Sequence, residues 1–428
     1  MIQSVSSSIR FAGQTKLPAD KSIAHRAALF ASFANGISTL YNFPASADPQ
    51  STLSCLQQLG VPIEVLPDRT VIIQGVGRYG FRKPNSPLDC GNSGTTMRLI
   101  SGVLAGQPFS SELIGDASLS SRPMGRIAEP LRKMGAHISL ADGHAPIRIH
   151  RSKGLHGIDY ELPIASAQVK SCILLAGLWA SGTTIVREKI PSRDHTERML
   201  NLSISHSNEK CSIRSNLSHP IPHGTFTLPG DFSAAAFVLV ATSIIGTGPV
   251  YLPNVGLNPS RTGLLTVLKE MGANIQIRNE SVSGTEPMGD LIVQRASLRG
   301  ITIRGDQIPN IIDEIPIIAV AGAFASGTTT IHDALELRYK ECDRILATVT
   351  NLRKLGAQIE EFEDGFAITG NVPLHGNTVD SFDDHRIAMA MAIAGLGATG
   401  KSTILKANAA SVSFPEFWDT LALLQEAH

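Results

Sequence analysis

One short phrase, repeated six times, constrains the fold of this chain more than any other feature. Each copy has a small residue, a glycine, and then Ser, Thr or another small residue that leads into a strand-like apolar ending. The clear copies are residues 34–40, 180–185, 325–331 and 398–404. Including two weaker copies, the glycines are Gly36, Gly106, Gly182, Gly248, Gly327 and Gly400, which are 70, 76, 66, 79 and 73 residues apart. Such a period indicates a repeated supersecondary unit.

A second phrase divides the repeats into two matching sets. Leu-Gln-Gln-Leu-Gly60, Leu-Arg-Lys-Met-Gly135, Leu-Lys-Glu-Met-Gly272 and Leu-Arg-Lys-Leu-Gly356 each predict the end of an amphipathic helix, where glycine is a favoured stop. They follow the preceding repeat glycine by 24, 29, 24 and 29 residues. The pattern therefore predicts two halves of three α/β units each, although chance similarity of Gly-Thr turns is the alternative.

The repeats also predict the domain boundaries. We expect one domain at residues 21–230 and a second made of residues 1–20 plus 231–428, with chain crossings near 18–21 and 229–232. The N-terminal segment 8–17 is predicted to be a strand that completes the second half. A chain of 428 residues is long enough for two domains.

Composition excludes several classes of function. The chain has 37 basic and 37 acidic side chains and 5% aromatic residues, which disfavours nucleic acid as a partner. Its five cysteines form no CxxC pair, which favours a reducing compartment over disulfides or structural zinc. The apolar runs at 234–245 and 315–325 are shorter than a membrane helix and predict buried core. With no signal segment visible at the start, we expect a cytoplasmic protein.

Cationic side chains recur in five segments, each among small polar residues and beside Gly, Pro or Asp. The segments are residues 21–26, 91–98, 121–123, 337–344 and 383–386. Arg offers a planar fork and Lys a point charge, which together suit phosphates and carboxylates. If the segments meet in space, they form a pocket for small, highly charged anions.

Each segment has a plain structural interpretation when taken alone. Lys21, Ser22 and Arg26 lead into a predicted helix at 27–33, with Ser22 at the helix start, and Gly91 and Gly94 form a turn into a predicted helix at 97–104. That turn lacks the Gly-Lys-Ser/Thr ending of a Walker motif. Arg122 precedes Pro123 on a predicted rigid turn.

The C-terminal segments are equally ambiguous in isolation. Asp313, at the edge of an apolar run, is either a helix cap or a general base shielded from water. Residues 337–344 predict one helix on whose charged face Glu341 and Arg344 pair. Residues 384–386 precede a predicted helix at 387–396.

The polar segment 203–223 is predicted to be a loop. Its histidines, His206, His219 and His223, match no metal-binding spacing. We therefore predict no metal there.

In order along nearly the whole chain, these segments resemble the enolpyruvyl transferase family, most closely its EPSP synthase branch. The matching phrases are KSIAHR, GNSGTTMR, SRPMGRI, SAQVKS, RDHTERML, PGDFSAAAF, DEIPIIA, LRYKECDR, DDHRIAMA and SFPEF. The resemblance implies an inside-out α/β barrel fold with two similar domains, each of three α/β units, which close on substrate in the interdomain cleft. Closure would expel water and strengthen the charge contacts.

The resemblance also implies the reaction and the residues that perform it. The family transfers the enolpyruvyl group of phosphoenolpyruvate (PEP) to the 5-hydroxyl of shikimate 3-phosphate and releases phosphate, with no metal or organic cofactor. The shikimate 3-phosphate contacts implied are Lys21, Ser22, Arg26, Ser166, Gln168, Ser192, Asp313 and Lys340. The PEP contacts implied are Lys21, Gly94, Arg122, Gln168, Arg344 and Arg386. Asp313 resembles the base on the 5-hydroxyl, Glu341 resembles the group that handles the C3 proton, and Lys21 belongs with both as a catalytic residue. A monomer is implied.

Five positions depart from the family pattern. Ala19 and Asp20 stand where Gly and Ser are usual, Asp383 where Gly is usual, Cys342 where Ser or Thr is usual, and Val412 where many members have Lys. The departures at 20 and 412 predict that PEP binding depends more on Arg344 and Arg386. Gly94 predicts sensitivity to the PEP mimic glyphosate.

Three alternatives remain open from the sequence. A sister enzyme acting on UDP-N-acetylglucosamine shares the repeat, but it usually has a loop cysteine that residues 115–122 lack. A non-catalytic phosphometabolite-binding protein would fit Asp20 and Val412, but not the presence of Asp313 and Glu341. RNA binding is disfavoured by neutral charge and few aromatic residues.

Overall fold

The chain folds into two compact lobes. The computed structural model describes residues 1–7, 10–207 and 210–426. The first lobe contains Ala19–Leu228 and Val282–Glu286, and the second contains Met1–Pro18, Pro229–Ser281 and Pro287–His428. The boundaries predicted from the sequence lie at 20/21 and 230/231 and do not single out residues 282–286.

Six small sheets share one topology. In each sheet the first strand runs parallel to the second, and the second runs antiparallel to the third. Within the described residues, five of these six sheets have a fourth strand, and the sheet that contains Lys401–Leu405 has three strands. Exposed and buried positions alternate along strands such as Ile37–Tyr41, so one face of the sheet is buried. The recurrence confirms the repeated α/β units predicted from the glycine phrases.

The strands of the first lobe, in sheet order, are Thr225–Thr227, Ile37–Tyr41, Val71–Gln74 and Ile63–Val65; then Leu88–Asp89, Ser111–Ile114, His144–His150 and His137–Ala141; then Asp159–Glu161, Thr184–Glu188, Lys210–Ser215 and Ser203–Ser207, with a further pair Leu155–His156 and Ala180–Ser181. Those of the remaining sheets are Gly13–Gln14, Val250–Gly256, Glu286–Gln294 and Asn274–Ser283; then Thr302–Ile303, Thr328–Ile331, Phe366–Thr369 and Gln358–Glu361; then Thr378–Asp380, Lys401–Leu405 and Ile2–Ser6.

A buried helix precedes the second strand of each sheet. These six inner helices are Lys21–Phe33, Gly94–Leu104 and Ala167–Gly177 in the first lobe, and Phe232–Ile245, Ile315–Phe324 and His385–Gly397 in the second. In Phe232–Ile245 nearly every side chain is buried, as expected of a helix that is apolar on all sides. The inner helices therefore form the core of each lobe.

The other helices are mostly shorter or amphipathic. The remaining α-helices are Ala47–Gln58, Ala117–Ser120, Gly125–Lys133, His195–Leu200, Gly263–Glu270, Ile308–Ile311, Arg344–Lys354 and Phe417–Gln425, and the 3₁₀ turns are Gly305–Gln307, Ile312–Glu314, Leu335–Tyr339 and Ala407–Val412.

The predicted glycine stops are confirmed. Gly60, Gly135, Gly272 and Gly356 have φ values of 85°, 97°, 95° and 95°, the left-handed region that only glycine enters without strain. The third unit lacks the phrase because Asn201, at φ 53°, ends its helix His195–Leu200 instead.

Two sequence predictions of local structure were wrong. Residues 203–223 are not all loop, since Ser203–Ser207 and Lys210–Ser215 pair as antiparallel strands. The strands were hard to recognise because Ser203–Ser207 is exposed along its whole length and Ser212 and Ile213 are buried next to each other, so neither strand alternates regularly. The helices predicted at 27–33, 97–104 and 387–396 begin earlier, at Lys21, Gly94 and His385, because polar residues occupy their capped first turns.

The N-terminal segment contributes two strands rather than one. Ile2–Ser6 completes the last sheet, and Gly13–Gln14 joins the first sheet of the second lobe. Ser8 and Ile9, at the start of the predicted strand 8–17, lie outside the described residues.

One helical run in the described chain, Gly305–Phe324, is long and apolar enough to cross a membrane. However, 72% of its most apolar window is buried inside the protein, and core helices pass the same test.

Candidate active site

Several predicted site residues lie at the N-terminal ends of the inner helices. Lys21 and Ser22 open the first helix, Gly94 opens the second, and Ser166 caps the third. In the second lobe, Asp313 precedes the helix Ile315–Phe324, and Arg386 lies in the first turn of His385–Gly397. Free backbone N–H groups and the helix dipole make such ends suited to anions.

Hydrogen bonds join the helix starts within the first lobe. Arg26 Nη2 donates to Ser171 Oγ at 3.0 Å, which links the first and third inner helices. Gln168 Nε2 donates to Thr95 Oγ1 at 3.0 Å, which links the third and second. The repeated topology thus brings KSIAHR, GNSGTTMR and SAQVKS to one place.

Asp20 is a helix cap and not an exposed competitor for anions. Its Oδ1 accepts a hydrogen bond from the backbone N–H of Ile23 at 2.8 Å, and only 2% of the residue is exposed. Asp caps a helix as well as the Ser usual at this position. The helix start predicted at Ser22 is therefore capped two residues earlier.

Arg26 is a buried guanidinium bonded to neutral oxygens. Its Nε donates to Thr196 Oγ1 at 2.7 Å and its Nη1 to the Ser22 carbonyl at 2.9 Å, in addition to the bond to Ser171. Burial lowers its pKa to about 10, while the carboxylates of Glu197, Asp20 and Glu286 oppose the shift. Arg26 therefore remains charged at neutral pH while its hydrogen bonds go to hydroxyl and carbonyl groups.

Lys21 is paired with a carboxylate. Its Nζ lies 2.8 Å from Asp48 Oδ2. The neighbouring His25 hydrogen-bonds to Thr52 Oγ1 at 2.7 Å, and burial lowers its pKa to about 3, so its ring is neutral. The fixed positive charge at this helix start thus comes from Lys21 and Arg26.

Gly94 lies against two guanidinium groups. A methyl group added to it would lie 2.7 Å from Arg98 Nη1 and 3.4 Å from Arg122 Nη1. Arg122 donates to Asn92 Oδ1 at 2.7 Å, and Arg98 donates to Gln168 Oε1 at 2.5 Å. Three residues implied for PEP in this lobe, Gly94, Arg122 and Gln168, are therefore grouped around Arg98.

Ser166 and Ser192 have structural partners. Ser166 Oγ accepts from the N–H of Val169 at 3.5 Å and caps its helix. Ser192 Oγ donates to Glu188, whose other oxygen lies 2.8 Å from buried Lys170 Nζ. Lys170 also pairs with Glu197 at 2.6 Å, so this lysine neutralises carboxylates and Ser192 lies at the edge of that cluster.

In the second lobe, Arg344 gathers three carboxylates. Its Nε lies 2.7 Å from Asp384 Oδ2, its Nη2 lies 2.7 Å from Glu341 Oε2, and its Nη1 lies 3.1 Å from Asp313 Oδ1. Burial alone would lower its pKa, but the three carboxylates together raise it. The two predicted proton-handling groups are thus held on a predicted PEP arginine.

Residues 337–344 are not one helix, contrary to the sequence prediction. The 3₁₀ turn Leu335–Tyr339 ends before Lys340, and the helix Arg344–Lys354 starts after its cap, Asp343. The Glu341–Arg344 pair exists, but Arg344 is 1% exposed rather than on a solvated face. Lys340 Nζ lies 3.7 Å from Asp313 Oδ1.

Arg386 is oriented by the Glu314 carboxylate and the Asp313 carbonyl rather than by the Asp313 carboxylate. Its Nη1 donates to Glu314 Oε1 at 3.1 Å and to the Asp313 carbonyl at 2.8 Å, while the Asp313 carboxylate is 3.9 Å away. Ser233 Oγ also donates to Glu314 Oε1, at 2.6 Å. Asp313 does not cap the following helix, and this leaves its side chain with the cations.

The remaining departures have local explanations. Asp383 has φ 58°, the conformation that favours the Gly usual there, and its carboxylate pairs with exposed Lys406 at 2.8 Å. Cys342 Sγ donates to Asp384 Oδ2 at 3.7 Å, and burial raises its thiol pKa. Val412 ends the 3₁₀ turn Ala407–Val412.

Sequence reasoning missed several polar partners of the site. Asp384 and Arg98 lie inside motifs that were recognised, so proximity to Arg386 and Gly94 was an available signal. Ser171, Thr196 and Glu314 also lie inside quoted phrases, SAQVKS, RDHTERML and DEIPIIA, but their partners become evident only from packing, as does Asp48. Within residues 1–7, 10–207 and 210–426, no group of three or more His, Cys, Asp or Glu could hold a metal ion.

Comparison with known proteins identifies the family. The family model "EPSP synthase (3-phosphoshikimate 1-carboxyvinyltransferase)" matches residues 5–421. The chain belongs to the EPSP synthase family. A relative from Salinibacter ruber, named 3-phosphoshikimate 1-carboxyvinyltransferase, is 55% identical over 99% of both chains. A relative of the same name from Chloroflexus aurantiacus is 49% identical over 98% of both.

Solved structures agree with this EPSP synthase assignment. The EPSP synthase from Acinetobacter baumannii has a TM-score of 0.89 and 41% identity, covering 99% of this chain and 98% of that one. The enolpyruvyl transferase NikO from Streptomyces tendae has a TM-score of 0.78 at 16% identity, covering 99% and 97%, and this likeness shows the shared fold. The family resemblance and the two-domain α/β fold inferred from the sequence are confirmed.

Proposed function

We propose that this EPSP synthase family member transfers the enolpyruvyl group of PEP to the 5-hydroxyl of shikimate 3-phosphate, using residues of both lobes. The observation that carries the residue assignment is that, within each lobe, cations lie at helix starts: Lys21 and Arg344 open helices and Arg386 lies in a first turn. Lys21, Arg26 and Arg122 in one lobe and Arg344 and Arg386 in the other supply the charge that two phosphates and a carboxylate require.

In this proposal the first lobe mainly binds. Arg26 keeps its charge in a buried site bonded to neutral oxygens, so a phosphate gains a charge-assisted contact without displacing a carboxylate. Ser22, Ser166, Gln168 and Ser192 contribute hydrogen bonds to shikimate 3-phosphate. Lys21 contacts both substrates once its ammonium group breaks the ion pair with Asp48 or donates to Asp48 and a substrate together.

The second lobe mainly performs proton transfer. Asp313 removes the proton from the 5-hydroxyl as the hydroxyl oxygen attacks C2 of PEP. Lys340, beside Asp313, contacts shikimate 3-phosphate. Protonation at C3 gives a tetrahedral ketal. Loss of phosphate and of a C3 proton, which Glu341 handles, then gives the enol ether product and inorganic phosphate.

Substrate binding and activation of the carboxylates are linked in this proposal. Without ligand, Arg344 holds Asp313 and Glu341 through its Nη1 and Nη2 groups. An incoming PEP anion competes for those same donors. Binding therefore releases the two carboxylates for proton transfer at the moment the substrate arrives.

The alternative substrate UDP-N-acetylglucosamine is disfavoured by the relatives, whose names specify 3-phosphoshikimate. A purely binding role does not explain two carboxylates placed beside PEP-type arginines. We further propose a cytoplasmic monomer, for which the five free cysteines in the described residues offer support on location only.

Phosphate release from PEP tests the proposal directly. The purified protein is assayed with PEP plus either shikimate 3-phosphate or UDP-N-acetylglucosamine. We expect release only with shikimate 3-phosphate. Release only with the sugar nucleotide would assign the sister activity, and release with neither would favour a binding role.

A further inference from the structure

We propose that Glu286, at the tip of a hairpin, is a positioning residue for Arg26 and thereby sets the affinity for shikimate 3-phosphate. The hairpin strands are Asn274–Ser283 and Glu286–Gln294. The tip Val282–Glu286 belongs to the first lobe, although the rest of the hairpin belongs to the second. The inference rests on the proposed assignment of Arg26 to shikimate 3-phosphate.

A short chain of contacts connects Glu286 to Arg26. Glu286 Oε1 lies 2.9 Å from His195 Nδ1, and both side chains are at most 3% exposed. His195 is the first residue of the helix His195–Leu200, and the next residue, Thr196, accepts the hydrogen bond from Arg26 Nε. Anchoring His195 therefore fixes where the Thr196 hydroxyl lies.

The contact at Thr196 determines the orientation of the guanidinium plane. Thr196 Oγ1 lies 2.7 Å from both Arg26 Nε and Ser171 Oγ, and Ser171 in turn accepts from Arg26 Nη2 at 3.0 Å. These two hydroxyls hold one edge of the planar group. A shift of Thr196 would rotate the donors of Arg26 that face a phosphate, and charge-assisted bonds depend strongly on direction.

Glu286 also contributes charge. It is one of three carboxylates, with Glu197 and Asp20, that favour the charged form of buried Arg26. The hydrogen bonds of Arg26 go instead to neutral oxygens. The carboxylate thus supports the cation from a distance and leaves it available for an anionic ligand.

Two neighbouring contacts at the tip provide controls. Thr285 Oγ1 donates to the Arg198 carbonyl at 2.8 Å, and Ser283 Oγ accepts from the Thr227 N–H at 3.1 Å. Both anchor the same turn, but neither bond is made to His195 or Thr196. A purely structural role of the tip would make their loss equivalent to the loss of Glu286.

The test compares Glu286→Gln with Thr285→Val, using calorimetric affinity for shikimate 3-phosphate and the KM for PEP. We expect Glu286→Gln to weaken the binding of shikimate 3-phosphate at least fivefold, while the KM for PEP changes less than twofold. Thr285→Val should change both less than twofold. An unchanged affinity for shikimate 3-phosphate in Glu286→Gln, or equal effects on both substrates, would overturn the proposal.

Further variants separate this proposal from the assignment of Arg26. Arg26→Lys should weaken the binding of shikimate 3-phosphate. In the double variant Arg26→Lys plus Glu286→Gln, the affinity should fall by less than a further twofold, because the two residues act through one contact. If Arg26→Lys binds normally, the Arg26 assignment itself is wrong, and this inference falls with it. If Arg26→Lys weakens binding but the two effects are fully additive, only the Glu286 inference fails.

The histidine gives a second route if Glu286→Gln does not fold. His195→Ala should weaken the binding of shikimate 3-phosphate at least fivefold. His195→Asn should bind it within twofold of wild type, because the Asn amide can donate a hydrogen bond near the position of Nδ1. Equal affinity in His195→Ala and wild type, or failure of Asn to improve on Ala, would contradict the proposal.

Discussion

At the residue scale, two buried arginines of the site have opposite surroundings. Arg26 is bonded to two hydroxyls and a carbonyl, whereas Arg344 is bonded to Asp384, Glu341 and Asp313. The first arrangement leaves a net positive charge for an anion. The second makes the arginine a holder of carboxylates, so a ligand anion must exchange with them.

Gly94 provides the first prediction at this scale. A Gly94→Ala methyl group would approach Arg98 and Arg122 to 2.7 and 3.4 Å, which forces the guanidinium ends to shift. We expect a several-fold higher KM for PEP and weaker inhibition by glyphosate, measured by phosphate release. Gly125→Ala is the matched control, because its methyl group would meet nothing within 4 Å. Identical inhibition of Gly94→Ala and wild type would contradict this account.

Asp384 gives the second prediction. It is fully buried, binds Arg344, and caps the helix that carries Arg386 through a 2.8 Å bond from the Arg386 N–H. Asp384→Asn keeps a capping oxygen but removes the charge opposite Arg344. We expect a loss of about 3 kcal/mol in the free energy of unfolding, measured with urea, because a buried cation loses a partner.

The same substitution has a predicted pH signature. Burial opposes ionisation of Asp384, but Arg344 outweighs it and lowers the pKa of Asp384 below 3.8. Its stabilisation is therefore complete above about pH 4 and is lost as the pH falls through the lower folded-state pKa. The stability difference between wild type and Asp384→Asn should shrink on acidification. A constant difference from about pH 7 to about pH 2 would argue against the ion pair as its source.

At the element scale, five of the six inner helices start with a side-chain cap, and Ile315–Phe324 does not. Caps at Asp20, Ser93, Ser166, Asp231 and Asp384 satisfy some backbone N–H groups and fix the first turn, where binding residues lie. The sequence phrases that look like separate anion motifs are therefore one structural device used repeatedly.

Asp20 gives a prediction at this scale. Asp20→Ala should lower the free energy of unfolding by about 1 kcal/mol, since the N–H of Ile23 loses its acceptor. Asp20→Ser, the matched control, should stay within about 0.5 kcal/mol of wild type because a hydroxyl also caps. Chemical denaturation of the three proteins measures this. Equal stability of the Ala and Ser variants would show that the cap contributes little.

The sequence predicted elements well where the backbone itself imposes the residue. Positive φ at Gly60 and Gly356 requires glycine, so the helix ends were visible. The strand pair Ser203–Ser207 and Lys210–Ser215 was missed because its sequence is largely polar and its buried positions do not alternate regularly. The charged segment 337–344 was misread because a cap at Asp343 interrupts the apparent helical spacing.

At the scale of the whole molecule, the six-fold repeat could be predicted because its glycines recur at a nearly constant period. The partners of the site could not, because they come from distant segments. Thr196 meets Arg26 across 170 positions, and Glu314 meets Arg386 across 72. No local pattern marks such pairs, whereas family resemblance supplied most of the binding residues as a set.

Closure on substrate is the prediction for the whole molecule. If cations of both lobes bind the same anions, ligands should neutralise their mutual repulsion and draw the lobes together. Small-angle scattering should therefore give a smaller radius of gyration with shikimate 3-phosphate plus glyphosate than without ligand. Shikimate alone, which lacks the phosphate, is the control. Equal compactness in all three states would contradict closure.

The central claim is that first-lobe cations bind shikimate 3-phosphate while second-lobe carboxylates transfer protons. The most direct measurement pairs the calorimetric Kd of shikimate 3-phosphate with kcat for phosphate release in Arg26→Lys and Asp313→Asn. We predict a Kd at least tenfold weaker for Arg26→Lys. For Asp313→Asn we predict a kcat lower by about 10²-fold or more, with a much smaller change in Kd. A wild-type kcat in Asp313→Asn, or a wild-type Kd in Arg26→Lys, would contradict the claim.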